Sequence, residues 1–256
     1  MALFGMGTTA TSANGLHNVI SFCKLWNPTD GSLVRDFKPA IDENGVGFMF
    51  DTVSHTCYLN QGTGAFKYPA REVEYLESTG TQYIDTGKTF VSSTDEIELK
   101  YQNTSTQTHK WLFGSYESNA NIGISSATIT APTFWYKGNI SSTESAQYNS
   151  EHILKYDSTG MSNDGVNLKA FTSYVGTWNL YLFALNNTGT SPNGYYGYGK
   201  IWGYKHTRNG STLLDLIPAF QDGQAGMLDK ANSVFYPNAG TGNFTTGKII
   251  EPEYES

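Results

Sequence analysis

Charge is scarce in this sequence. Charged residues make up 15% of the 256-residue chain, against about 25% in an average globular protein. The charge present leans acidic, to a formal net −7, and no Lys/Arg cluster stands out. Without a basic surface to neutralise phosphates, a nucleic-acid partner is not expected. No apolar run approaches the length of about 18 residues that a spanning helix needs, so membrane insertion is not expected either. The opening Met1-Ala-Leu-Phe-Gly-Met-Gly-Thr8 carries no basic stretch, and its apolar stretch is too short for a signal peptide. Any route out of a cell is then expected to be a different one, such as assembly into a particle released by lysis. Cysteine is nearly absent. Cys23 and Cys57 are too few for a disulfide framework or a four-cysteine zinc site. Both lie in apolar, strand-like runs, where buried free thiols are expected.

Strand formers and turn formers fill the space that charge leaves. There are 17 Tyr, 14 Phe, 5 Trp and 27 Gly, with abundant Ser, Thr and Asn. This composition argues against a helical bundle, a coiled coil and a charged disordered tail. Glu96–Tyr101 alternates with period two, and 110–114, 133–136, 166–171, 180–185, 200–204, 213–217 and 234–236 also read as strands. Asn187-Thr-Gly, Pro192-Asn-Gly and Arg208-Asn-Gly210 lie between them as turns. Many short strands at close spacing mean a β-sandwich or a barrel.

The chain also repeats itself. Gly31-Ser-Leu-Val-Arg-Asp-Phe-Lys-Pro-Ala40 recurs as Gly210-Ser-Thr-Leu-Leu-Asp-Leu-Ile-Pro-Ala219. After a one-residue gap Asp51 meets Asp229, Tyr58 meets Tyr236, and Asn60-Gln-Gly-Thr-Gly-Ala-Phe66 meets Asn238-Ala-Gly-Thr-Gly-Asn-Phe244. Further matches run back to Leu3-Phe4 and forward to Glu251, Glu253 and Tyr254. The expected organisation is the C-terminal part of one module in 1–71, a complete module in 72–249, and the start of a further repeat or a tail in 250–256. Such a period is a tandem domain, not a solenoid. Met1 falls opposite a strand-like run, so the expectation is a segment of a longer tandem-repeat polypeptide. The shared Gly-Thr-Gly turns are expected to fold Phe66 and Phe244 back onto the sandwich, with Tyr58 and Tyr236 beside them. Pro39 and Pro218 are expected at strand ends.

Glu74-Tyr-Leu-Glu-Ser-Thr-Gly-Thr-Gln-Tyr-Ile-Asp-Thr-Gly87 resembles the opening of laminin-G-like, concanavalin A-like jelly-roll modules. These modules are common in structural proteins of tailed bacteriophages and in gut bacterial genomes. Residues 33–39, 45–51 and 60–66 match their closing segment. Residues 213–218 and 238–244 match it with departures: Leu214 replaces an Arg, and Gly223-Gln-Ala225 replaces a Gly-x-Gly turn. The resemblance implies an all-β, antiparallel two-sheet jelly-roll sandwich in tandem modules. It implies no single function, because the fold hosts lectins, adhesins, glycanases and inert spacers.

Glycanases of this fold use a strand pattern Glu-x-Asp-x-x-Glu for their acid pair. Here Glu96 and Glu98 share a face, but Tyr101 stands where the last acid would be. The five histidines, 17, 55, 109, 152 and 206, lack metal-ligand spacing. No nucleophile elbow, phosphate loop or Cys–His pairing occurs. Ser162-Asn-Asp-Gly165 hints at Ca²⁺ but is foremost a turn; no other cofactor is expected. Sugars stack on exposed aromatic rings, and Tyr195, Tyr196, Tyr198, Trp135 and Tyr136 are the candidates. The scaffold does not demand tyrosine at the first three, since the earlier copy has Leu16, His17 and Val19 there. Taken together with the resemblance, the expectation is a non-catalytic virion structural or host-attachment protein with carbohydrate-binding capacity. It would be assembled in the bacterial cytoplasm, with other virion proteins, copies of itself and a cell-surface glycan as partners. A bacterial surface adhesin or lectin, extracellular, is the alternative, and a concanavalin-fold glycanase is the third.

Overall fold

The computed structural model describes residues 20, 22–41, 46–63, 66, 70–117, 120–126, 132–137, 139–140, 148–190 and 192–250. The chain divides into two compact units, Met1–Tyr68 and Pro69–Ser256. No helix occurs among the described residues, and every pair of named strands is antiparallel.

The first unit is a four-stranded sheet in sequence order: β1 (Cys23–Trp26), β2 (Leu33–Ile41), β3 (Gly47–Asp51) and β4 (Thr56–Tyr58).

The second unit begins with β5 (Arg71–Glu72), β6 (Leu76–Thr79), β7 (Ile84–Asp85), β8 (Asp95–Asn103), β9 (Lys110–Glu117), β10 (Ala120–Ser126), β11 (Pro132–Tyr136) and β12 (Asn139–Ile140). It continues with β13 (His152–Asp157), β14 (Gly160–Asn163), β15 (Val166–Ala170), β16 (Tyr181–Leu182), β17 (Tyr198–Arg208), β18 (Ser211–Gln221), β19 (Gln224–Asp229), β20 (Val234–Pro237) and β21 (Thr245–Thr246). The smaller sheet has the order β12-β11-β10-β9-β16-β7. The larger runs β15-β14-β13-β8-β17-β18-β19-β20, with β6 also on β17, β5 on β18 and β21 on β6. The inner faces share one apolar core. Phe113 of the smaller sheet lies 5.9 Å from Tyr204 of the larger, ring to ring, and Tyr136 meets Tyr156 edge-on at 5.6 Å. The architecture is therefore an antiparallel β-sandwich.

The β17–β18 hairpin turns on Asn209-Gly210, whose φ angles of 51° and 76° are the left-handed pair that Asn-Gly adopts cheaply. The run 180–185 is a strand only at Tyr181–Leu182, because Phe183 takes φ 63° and turns the chain. Both prolines lie inside long strands, not at their ends. Pro218 falls between the last β17 pair, Tyr204↔Leu216, and the first β5 pair, Ala219↔Glu72, so no ladder needs its missing N–H. Pro39 likewise follows the last β1 pair, Cys23↔Phe37. The thiols are not buried as expected: Cys23 is half-buried and Cys57 exposed, because β4 is an edge strand with every residue exposed.

Registers recur between the units. Phe37↔Asp51, Pro39↔Met49 and Met49↔Tyr58 correspond to Leu216↔Asp229, Pro218↔Met227 and Met227↔Tyr236. Asp51 accepts the Asp36 and Val53 amides at 3.0 and 3.1 Å and the Ser54 hydroxyl. Asp229 accepts the Asp215 and Ala231 amides, both at 3.0 Å, and Asn232 Nδ2 at 2.6 Å. The matches at residues 3–15 and 251–254 lie outside the described residues.

Candidate functional site

The outer face of the smaller sheet carries a row of directly paired residues running across four strands and onto a fifth. Trp135 on β11 faces Gly123 on β10, Gly123 faces Gly114 on β9, Gly114 faces Tyr181 on β16, and Tyr181 faces Asp85 on β7. Paired residues share a face, and strands lie about 4.8 Å apart, so Trp135 and Tyr181 stand about 14 Å apart with a glycine floor between them. Neither glycine tolerates a side chain. Their φ angles are 144° and 147°, and a Cβ on Gly114 or Gly123 would sit 2.2 or 2.1 Å from a carbonyl oxygen of the neighbouring strand.

Aromatic pairs stand at both ends of the floor; Trp111 and Tyr181 are only 5% and 2% exposed and both glycines are buried, so Trp135, Tyr83 and Tyr196 are the partly exposed rings. At one end Trp135 stacks on Trp111 with centroids 5.1 Å apart, and its Nε1 donates to Ser125 Oγ at 2.9 Å. Trp111 faces outward because of a bulge: Ile124 pairs Phe113 and Ser125 pairs Trp111, leaving Leu112 as the extra residue. Leu112 and Phe113 then both enter the core, and the next side chain is turned out. At the other end Tyr83 packs on Tyr181 at 4.8 Å and lies 6.1 Å from Tyr196. The repeated Asn-x-Gly-Thr-Gly turn positions Tyr83: Asn238 Oδ1 accepts its amide at 3.1 Å and Ala239 N–H donates to its carbonyl at 2.9 Å. Burial, with the neighbouring Asp85 and Tyr83, pushes the Tyr181 hydroxyl up to about 12. Burial, then Tyr196 and Asp85, raises Tyr83 as well. Both phenols therefore stay protonated at neutral pH. Asn121 shares the outer face of β10 with Gly123 and Ser125. It is 6% exposed, and its Oδ1, itself buried, has no hydrogen-bond partner.

The row is anchored from behind. Tyr156, fully buried on β13, accepts the Gly123 amide at 3.1 Å and donates to the Trp135 carbonyl at 2.9 Å. The unusual φ of Gly123 goes with this contact, since its peptide groups meet a phenol in the core.

No family model matches the chain, and no curated protein matches it.

The residues expected from the sequence divide. Trp135 and Tyr196 belong to the two aromatic ends. Tyr136 does not: it is fully buried, stands edge-on to Tyr156 in the core and donates its hydroxyl to the Thr172 carbonyl. Alternation along β11 turns it inward because Trp135 points out, so the ring has no free face for a sugar. Tyr195 is half-buried in the turn closed by its own amide on the Pro192 carbonyl. Tyr198 shares the outer side of the larger sheet with Lys200 and packs under Lys110, so it does not join Tyr196. The sequence reading missed Trp111, Tyr181 and Tyr83. Asn121-Ile-Gly-Ile-Ser-Ser126 has an alternating pattern, but its glycine and serines hide the strand that aligns them.

Carboxylates near the row are already engaged. Glu117 accepts the Thr177 and Trp178 amides and the Thr177 hydroxyl. Asp85 accepts the Gly87 amide and Asn179 Nδ2. Glu96 and Glu98 lie on the exposed side of β8, in the other sheet, with Glu98 paired to Lys155 at 2.8 Å. Asp164, of the suggested calcium turn, accepts the Ile153 amide and meets His152 Nδ1 at 2.6 Å. No cluster of three or more His, Cys, Asp or Glu suited to a metal occurs among the described residues. The buried pair Asp95–His206, at 2.9 Å, is completed by Arg208 and the Val91 amide and ties β8 to β17 inside the fold.

Proposed function

We propose that the second unit is a non-catalytic, saccharide-binding jelly roll of the concanavalin A-like kind. We further propose that the protein serves a tailed-phage virion as a structural or host-attachment component. The observation that carries the saccharide reading is the row Trp135–Gly123–Gly114–Tyr181: two aromatic ends, a glycine floor without side chains, and a buried, unpaired amide oxygen at Asn121. Pyranose rings offer apolar faces to aromatic rings and hydroxyls to such polar groups. The engagement of Glu117 and Asp85 by backbone and side-chain donors supports binding without hydrolysis. The virion role rests on the resemblance of residues 74–87 and 60–66 to phage modules, and the recurring registers of the two units support a tandem arrangement. Other virion proteins, further copies of the chain and a bacterial surface glycan are the partners this reading assigns.

A glycan array probed with the full chain, followed by chromatography of any bound oligosaccharide, tests it. Binding with the oligosaccharide recovered intact is expected. Cleaved products would make the protein a glycanase, and an array without signal would remove the saccharide reading.

A further inference from the structure

In the second unit the four strands β17–β20 do not stand alone. β17 has β18 on one side, and along its other edge it carries β8 through nine paired residues, from Gly199↔Asn103 to Arg208↔Asp95. The first unit repeats β17–β20 as β1–β4, down to irregularities. Cys23↔Phe37, Lys24↔Asp36, Leu25↔Arg35 and Trp26↔Leu33 match Tyr204↔Leu216, Lys205↔Asp215, His206↔Leu214 and Thr207↔Thr212, with a bulge at the same step in both. His55 and Ser233 take the same left-handed φ, 54° and 56°, in the same turn. Among the described strands and turns the length changes in the hairpin loop: the six residues Asn27–Ser32, between Trp26↔Leu33, stand in place of the four residues Arg208–Ser211, between Thr207↔Thr212. Yet β1 is an edge: no described strand pairs with it on the side that corresponds to β8.

We infer that this open edge of β1 is a strand-docking site, and that its occupant is a polypeptide strand of the Asp95–Asn103 type, alternating acidic and apolar residues and adding antiparallel. Backbone hydrogen bonds supply such binding, and alternate side chains supply its register. The second unit states the register. Leu99, Glu98, Ile97 and Glu96 face Tyr204, Lys205, His206 and Thr207, so on β1 they would face Cys23, Lys24, Leu25 and Trp26. Lys24 would then meet a glutamate, where now it has only Asp36 at 4.0 Å. Phe22 and Trp26, 65% and 57% exposed, lie beside and on this edge, and an uncovered apolar edge is what sandwich proteins otherwise avoid. The inference is independent of the saccharide reading.

The full chain and a synthetic peptide of residues 94–103 test it, because Cys23 supplies a built-in probe. A peptide carrying Leu99→Cys, its sulfur activated as the 2-thiopyridyl disulfide, is expected to exchange with the Cys23 thiolate, releasing 2-thiopyridone and leaving a mixed disulfide, about tenfold faster than with the exposed Cys57. It should also outpace a Glu98→Cys peptide about tenfold, since neighbouring positions on a strand point to opposite faces. The unmodified peptide is expected to slow hydrogen exchange at the amides of β1 and leave those of β20 unchanged. Equal labelling of the two cysteines, equal rates for the two peptides, or unchanged exchange at β1 would overturn it.

Discussion

Gly123 and Tyr156 show how single residues build the candidate site from the core outward. The glycine lets the backbone of β10 turn an N–H inward, and the phenol of Tyr156 accepts it while holding the carbonyl of Trp135. Tyr156→Phe would take the phenol away from both backbone groups. A loss of about 1–3 kcal/mol is expected, read by denaturant unfolding, together with weaker glycan binding as Trp135 loses its anchor. Gly123→Ala should destabilise the fold more, since its Cβ would collide with the Phe113 carbonyl. Unchanged unfolding of either variant would contradict this reading of the row. At this scale the sequence exposes Trp135 and Tyr196 as aromatic residues among turn and strand formers. It does not show that Tyr136, one position on, is core while Trp111 is outward. That difference depends on the Leu112 bulge and on strand pairing, which no local pattern carries.

Strands with clean alternation or dense β-branched and aromatic content, such as β8, β17 and β18, are legible from the sequence alone. β10, β14 and β19 are not, because small and polar residues fill them and their partners decide their conformation. The repeat supplies what propensity lacks: Asp51 and Asp229 align in the sequence and occupy the same cage in the structure. Each carboxylate collects two backbone amides and one side-chain donor at the turn between two strands. Asp229→Ala would strand the Asp215 and Ala231 amides, at an expected cost of about 3 kcal/mol. Asp229→Asn should recover part of it through its amide oxygen. Equal losses for Ala and Asn would mean that the cage contributes little beyond packing.

Across the molecule, paired carboxylates set the acid response. Burial works against the charge of Asp51, but hydrogen bonds from Ser54, Asp36 and Val53 and the nearby Arg35 bring its pKa down to about 2. Burial opposes the charge of Asp95 too, and Arg208, His206 and the Val91 amide more than reverse it, so its pKa is also depressed. A carboxylate whose folded pKa lies below its unfolded value contributes stability above the unfolded value. That contribution disappears as pH falls through the folded value. Stability carried by these two groups should therefore be complete above pH 3.8, the unfolded value, and fall as the pH drops toward 2 and below. Asp95→Asn should be less stable at pH 7, since it breaks a buried ion cluster, for which losses of about 3–5 kcal/mol are typical. Its stability should fall less steeply with acid than that of the wild type. Parallel pH profiles for the two proteins, by urea unfolding, would count against this role for Asp95.

The fold as a whole was legible as an all-β chain with a repeat, while the site was legible only in part, because it is assembled across five strands that are far apart in sequence. The central claim is that the outer face of the smaller sheet holds a saccharide between its two aromatic ends. Calorimetric titration of one array-positive oligosaccharide into wild type, Trp135→Ala and Tyr196→Ala, with thermal melts of all three, tests it most directly. Both variants should lose at least about tenfold in affinity, equivalent to about 1.4 kcal/mol, while melting close to the wild type. Wild-type affinity in both variants, with unchanged melting, would place the saccharide elsewhere and contradict the account.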